Sequence, residues 1–343
     1  MKKSPRKKKI LFLARLFFPH IGGVEKHLFK VSEKLQQLDY EVTIITEQYD
    51  KSLPLREDRY GLSIIRIPTS SGERMKKFQI WKWMIRNRSF ISKFDIIHVH
   101  DVFYWLYPLL IGLDRKNIFM TFHGYEGYPI TLRQKLHRKI AEKLSRRNIC
   151  VGDFMRKWYG TNPDIVIYGA AEENTSEANR IKKYSALFFG RLDDQTGIEE
   201  YYAAFQRIRK KYKNFVFQVI GEGKYKKKLD GVRVKPFDKE VDKKITQFQF
   251  VFVSRYLSML EAMLNRRVII AVYDNPVKRD YLYDSPFAKH IEICKSSDEV
   301  YQKVDFYINN PQEEKKKIEA AYRWAKKQTW EKVAQDYRNL WSV

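Results

Sequence analysis

Cysteine is nearly absent from this chain. Cys150 and Cys294 are the only two in 343 residues, too few and too isolated for a disulfide framework or a zinc site, so a reducing compartment suits the protein. No apolar run approaches the roughly 18 residues of a membrane-spanning helix. The N-terminus, Met1-Lys-Lys-Ser-Pro-Arg-Lys-Lys-Lys9, runs straight into a short apolar segment rather than a signal peptide's core. A soluble protein of the cytoplasm, or one peripheral on the inner face of the membrane, is the expectation. Negative charge is scarce as well: 41 Asp+Glu stand against 66 Lys+Arg, a formal net charge of +25. Such an excess attracts polyanions. The sequence also lacks any zinc-finger, RNA-recognition or helix-turn-helix signature to aim those cations at bases, which makes nucleic acid the disfavoured partner and an anionic membrane surface the favoured one.

What is present is alternation. Hydrophobic residues make up 44% of the chain, enough for a core in each of two domains. Apolar strands at Ile10–Ala14, Tyr40–Thr46, Leu62–Ile67, Asp95–Asp101 and Ile118–Gly124 are separated by helical stretches, and the pattern restarts at Ala186 and Phe215. Strands alternating with helices imply parallel, doubly wound sheets. Residues 1–170 read as one domain, the small acidic segment 171–184 as a linker, 185–326 as a second domain, and 327–343 as a terminal helix packing across the domain junction.

Several features point to ligands. Gly22 and Gly23 precede a helix, where backbone N–H groups and the helix dipole favour an anion such as phosphate. Two successive strands end in histidine, His98-Val-His-Asp101 and Thr121-Phe-His-Gly124, which suggests a polar site on the carboxyl edge of the first sheet. Between residues 74 and 88, Met75, Phe78, Trp81 and Ile85 fall at helical spacing among basic residues. That helix either lies in an anionic interface, supported by the basic N-terminus, or packs on the sheet with a solvated basic face. In the stretch Val251–Ala271, strand, helix and strand follow closely. Glu261 lies on the helix, near where open parallel sheets bind ligands.

Taken in order, Pro19-His-Ile-Gly-Gly-Val-Glu-Lys-His27, His98-Val-His-Asp101, Thr121-Phe-His-Gly124, Gly190-Arg-Leu with Thr196-Gly197, Leu260-Glu-Ala-Met263 and Gln328-Thr-Trp-Glu-Lys-Val-Ala334 resemble a GT-B glycosyltransferase of family 4 over nearly the whole chain. The resemblance implies two Rossmann-like domains facing across a cleft, a nucleotide-diphosphate sugar as donor substrate, no cofactor, and transfer to an acceptor hydroxyl with retention. No Asp-x-Asp metal motif is present, so no metal is expected, and a lipid-linked or cell-envelope glycan is the expected acceptor. By the same resemblance, Gly22 and Gly23 lie beside the donor diphosphate and Arg191 pairs with it. Glu261 accepts from the donor ribose, and His123 sits near the reacting sugar.

The chain also departs from the family. Thr196 stands at the family's lysine position, Val253 at the first glutamate of its glutamate pair, and Arg266 and Val268 at its glycine and proline. The segment Asp274-Asn-Pro-Val-Lys-Arg-Asp-Tyr281 replaces the glycine-containing donor loop. Lys278 is the cation expected to stand in for the missing lysine. The alternative reading is a catalytically reduced protein that binds nucleotide or serves as a partner subunit.

Overall fold

A computed structural model describes residues 6–70, 72–173, 181–237 and 241–342. The chain forms two units, residues 1–167 with 330–343 and residues 168–329. The first contains β1 (Lys9–Ala14), α1 (Gly23–Gln37), β2 (Glu41–Gln48), β3 (Arg56–Arg59), β4 (Leu62–Pro68), α2 (Glu73–Arg86), α3 (Arg88–Ile91), β5 (Ile96–His100), β6 (Ile118–His123), α4 (Leu132–Leu144), β7 (Arg147–Val151), α5 (Phe154–Tyr159) and β8 (Ile165–Ile167). The second contains β9 (Lys182–Phe189), α6 (Ile198–Lys211), β10 (Val216–Ile220), β11 (Arg233–Lys235), α7 (Val241–Ile245), β12 (Phe248–Phe252), α8 (Tyr256–Leu264), β13 (Val268–Val272), α9 (Pro276–Tyr283), β14 (Glu292–Cys294), α10 (Ser297–Asn309) and α11 (Pro311–Ala325). The last helix, α12 (Trp330–Trp341), returns to the first unit.

The first sheet has the order β3-β4-β2-β1-β5-β6-β7-β8 and is parallel except for β3, which pairs antiparallel with β4. The second has the order β11-β10-β9-β12-β13-β14 and is parallel throughout. Strand order reverses between β1 and β5 in one sheet and between β9 and β12 in the other. Those switch points open a crevice at the strands' carboxyl ends, where doubly wound sheets bind ligands. Central strands are covered on both faces and therefore read as continuous apolar runs. Ile10 to Leu13, Phe250 to Phe252 and Ile270 to Ala271 are fully buried, each large side chain contributing on the order of 2 kcal/mol by leaving water.

The structure corrects the expected boundaries. Tyr168, placed by its sequence position at the end of the first domain, stacks edge-on against Tyr256 and Phe287 and donates to the Asp284 carbonyl. The division therefore falls after Ile167 rather than at 170. Of the segment read as a linker, residues 174–180 lie outside the described residues, and Lys182 already opens β9. Helix α12 buries Trp330, Val333, Ala334, Tyr337, Leu340 and Trp341, an i, i+3, i+4, i+7 stripe. It packs within the first unit, where Glu331 pairs with Lys34 of α1 at 2.7 Å.

Helix α2 takes a rotation its sequence left open. Ile80 and Met84 are fully buried, and the Trp81 indole N–H donates to the Tyr104 carbonyl at 2.7 Å. Trp81 is thus held against its own unit rather than presented outward. Met75 and Phe78, each 60% exposed, and Ile85, 50% exposed, form the outward stripe.

Candidate functional site

In the first unit, side chains of β5 and β6 alternate with period two, so His98 and His100 share one face. Parallel register sets His98 beside Phe119 and His100 beside Thr121, with Phe12 of β1 flanking His98. This puts Thr121 and His123 on the same face, under α1 and α12. The result is a buried polar cluster in what would otherwise be core.

Hydrogen-bond inventory orients the cluster. The Trp341 indole, a donor only, donates to His98 Nδ1 at 3.0 Å. A neutral His98 then carries its proton on Nε2 and donates to Thr121 Oγ1 at 2.7 Å. Thr121 and Tyr337 hydroxyls meet at 3.0 Å, and Tyr337 meets His27 Nε2 at 3.0 Å. Passing each proton onward, Thr121 to Tyr337 to His27, uses every donor of this fully buried chain; the reverse order strands the threonine proton. Alongside it, His100 Nδ1 and His123 Nε2 share one proton at 2.8 Å, while His100 Nε2 is buried with no partner. Burial pushes the His27 pKa down to about 3. It also holds His98 and His100 well below the ordinary histidine range, reinforced by the neighbouring imidazoles. His123, only half-buried at the strand's end, is shifted the same way by burial and by His27, His98 and Arg138. The imidazoles are neutral at pH 7. Among the described residues no three His, Cys, Asp or Glu side chains are placed to hold a metal ion.

At the β1 end of the same switch point, Gly22 caps α1. A Cβ there would stand 2.2 Å from Glu25 Oε2, so only glycine lets the Glu25 carboxylate fold over the helix start, where it meets His20 Nδ1 at 2.8 Å. Gly23 is the first residue of the helix. The negative charge that the helix dipole favours is thus supplied in part by the chain itself.

The second unit builds its switch point from two crossing loops. A Cβ on Gly221 would lie 1.9 Å from the Gly190 carbonyl and one on Gly223 would lie 2.4 Å from that of Leu192. Between those contacts the Leu192 N–H donates to the Glu222 carbonyl at 2.8 Å. This close backbone approach fixes Arg191, whose side chain is 63% exposed with Nε 3.3 Å from Asp193 Oδ2. Thr196, at the family's lysine position, is buried, its hydroxyl spent on the Asp193 carbonyl at 2.8 Å. Val253 is buried at the end of β12. Arg255, which no local sequence signal singles out, caps α8 and donates to Gln195 Oε1 at 2.9 Å.

Lys278 is 1% exposed, donates to the Ser254 carbonyl, and lies 4.6 Å from the Tyr281 ring centroid. Burial drives its pKa well down, Arg255 adds to that, and Asp274 and Asp193 oppose it. The amine reaches the β12 end of the switch point from beneath rather than standing in solvent. Glu261, in the second turn of α8, is buried as well. The expected residues therefore divide between the units: Gly22, Gly23 and His123 in the first, Arg191, Glu261 and Lys278 in the second. Replacing Lys278 with methionine preserves volume and removes a desolvated amine, a gain that offsets the lost hydrogen bond to the Ser254 carbonyl. With Lys278 as a diphosphate ligand, Lys278→Met should keep the melting temperature and weaken UDP binding at least tenfold by calorimetry. Unchanged UDP affinity would leave the amine a purely internal donor.

The Glycosyltransferase Family 4 profile matches residues 21–165. A phosphatidylinositol N-acetylglucosaminyltransferase component from Arabidopsis thaliana is 22% identical over 133 residues, 39% of this chain and 25% of that protein; the chain thus spans a quarter of that relative's length. A phosphatidyl-myo-inositol mannosyltransferase of Mycolicibacterium smegmatis is 23% identical over 227 residues, 59% of this chain and 56% of the relative. The crystal structure of Anabaena HepE, solved with UDP and glucose, superposes with a TM-score of 0.71 at 14% identity, covering 98% of this chain and 100% of that one. Residues 21–165 thus resemble glycosyltransferase family 4, and the chain has the GT-B fold.

Proposed function

We propose that the protein transfers a sugar from a nucleotide-diphosphate donor to a hydroxyl of a lipid-linked acceptor at an anionic membrane surface. The observation that carries this reading is Arg191: an exposed guanidinium pinned at the β9–β12 switch point by backbone contacts that only glycines permit. Its planar fork takes phosphate oxygens in pairs and stays charged as the leaving diphosphate gains charge. Lys278, whose charge burial disfavours, gains a stabilising partner when an anion arrives. Glu261 accepts from the donor ribose, and Gly22 and Gly23 bring backbone close to the diphosphate. His123, neutral, presents a ring to the reacting sugar. Retention and independence of a metal belong to this same reading. Both curated relatives carry phosphatidylinositol or phosphatidyl-myo-inositol in their names, which makes an inositol phospholipid the first acceptor to try.

A second reading, a catalytically reduced protein that binds nucleotide or serves a partner, is favoured by Thr196 and Val253, both buried where the family has charge. Incubating the protein with UDP-N-acetylglucosamine, UDP-glucose or GDP-mannose and phosphatidylinositol vesicles separates the two. Nucleotide diphosphate release coupled to labelled lipid is expected. Stabilisation by UDP or GDP without release would favour the binding reading, and no response to either nucleotide would defeat both.

Membrane attachment is proposed through α2, since no described helix is long and apolar enough to cross a membrane. Met75, Phe78 and Ile85 point outward with Lys82 and Arg86 exposed beside them, the composition of an interfacial helix. Changing the three apolar residues together to serine should lower partition onto phosphatidylserine-containing vesicles at least tenfold, and salt should weaken the wild-type interaction. Equal vesicle binding by the triple variant would assign α2 a solvated surface only.

A further inference from the structure

Helix α8 begins against its own electrostatics. The first turn of a helix carries unpaired backbone N–H groups and the positive end of the dipole, so its cap is normally a short acceptor side chain and its charged neighbours acidic. Here the cap is Arg255, which has no acceptor atom. It makes no side-chain capping bond, and no acidic residue follows in the first turn. A second cation lies beneath it: Lys278 donates to the carbonyl of Ser254, one residue before the cap. Among the described residues that amine is paired with no carboxylate; its other neighbour is the Tyr281 ring. Burial lowers the Lys278 pKa and Arg255 lowers it further, so the two cations feel each other, with Asp274 and Asp193 opposing from greater distance.

The same edge of the sheet lacks a charge elsewhere. Thr196 stands at the family's lysine position and is buried. The Ser254 hydroxyl donates to the Thr196 carbonyl at 3.2 Å, and Arg255 Nη2 donates to Gln195 Oε1 at 2.9 Å. Those two bonds tie the loop after β9 to the loop after β12, and they leave the guanidinium resting on the residue next to the one where the lysine is missing. A cation has in effect moved from one loop to the other without leaving the β9–β12 switch point. Its resting partner there is a neutral amide oxygen, which an anion displaces because a charge-assisted hydrogen bond is about twice as strong.

We infer that Arg255 is a ligand of the donor diphosphate, supplying from the start of α8 the positive charge that Thr196 does not. The inference rests on the nucleotide-sugar reading above and adds a residue to that site. In the free protein the guanidinium is parked on Gln195. When the diphosphate arrives, it exchanges that amide for phosphate oxygens, two of which its planar fork takes at once. The dipole of α8 favours the same anion, and the mutual repulsion of Arg255 and Lys278 is relieved by it.

Titration calorimetry of the full chain with UDP and with GDP tests this. Arg255→Gln should weaken the nucleotide diphosphate that the wild type binds more tightly by about tenfold or more, and Arg255→Lys should fall between, since it keeps the charge and loses the fork. Gln195→Ala separates a phosphate ligand from a mere tie between loops. It removes the resting partner and leaves the cation, so affinity should hold or rise. Equal losses in Arg255→Gln and Gln195→Ala would overturn the inference and make Arg255 a structural link between the β9 and β12 loops. Affinity within twofold of wild type for Arg255→Gln would overturn it too. A wild-type protein that binds neither UDP nor GDP would defeat the nucleotide-sugar reading itself, and this inference with it.

Discussion

Lowering the pH from 7 to 5 should unfold the first unit while the second keeps its structure. His27, His98 and His100 are at most 2% exposed and neutral in the fold, whereas an unfolded chain protonates them near pH 6.5. Their folded pKa values are depressed, so the stability they allow is complete above about pH 6.5 and is lost as pH falls toward the folded values. At pH 5 His27 alone costs about 2 kcal/mol, and His98 and His100 add in the same direction, against a whole domain stability of about 5–15 kcal/mol. The second unit carries no comparable cluster among its described residues; His290 is shifted down but is partly exposed. Its buried Glu292 is pushed up by burial, but hydrogen bonds from Lys303, Lys317 and Tyr307 outweigh this and hold it below the ordinary range. That contribution is present above the unfolded carboxylate pKa and fails only at lower pH. Tryptophan fluorescence should therefore show two acid transitions, the first reporting Trp330 and Trp341. A single transition below pH 4 would contradict this account.

Arg191→Ala should reduce transfer by about a hundred- to a thousandfold, roughly 3–4 kcal/mol of lost stabilisation of the leaving diphosphate. Arg191→Lys should fall between, since it keeps the charge and loses the paired donors. Neither should move the melting temperature by more than a few degrees, because the Arg191–Asp193 pair is largely in solvent and screened. A rate within tenfold of wild type for Arg191→Ala would remove Arg191 from the diphosphate site. Combining it with Lys278→Met measures whether the two cations share one anion. Losses that add mean separate roles, and a shortfall means a shared one.

Much of the candidate site was legible because its residues sit where parallel strands end. The strings at Gly22-Gly23, His98–Asp101, Thr121–Gly124 and Gly190–Leu192 each follow an apolar run, and alternation of strands with helices places run ends on one sheet edge. Glu261 was legible as a helix residue but not as a buried one, since a nine-residue helix with so many apolar positions does not announce which face covers its glutamate. Lys278 was singled out through the missing lysine, yet its descent beneath Ser254 depends on how α9 packs. Arg255 and Tyr337 carried no local signal at all.

Composition and periodicity determined the two doubly wound sheets, and motif order the family resemblance, because those properties are local or repeat along the chain. Tertiary structure alone decided that α12 closes on the first unit and that a tryptophan and a tyrosine from its last turns orient histidines more than 200 positions earlier. It also decided that Trp81 faces inward and that Arg255 reaches from the end of β12 to Gln195 after β9. These outcomes turn on side-chain geometry between segments distant in sequence, where one hydrogen-bond donor or one strand register changes the result without altering any pattern a reader of the chain can see.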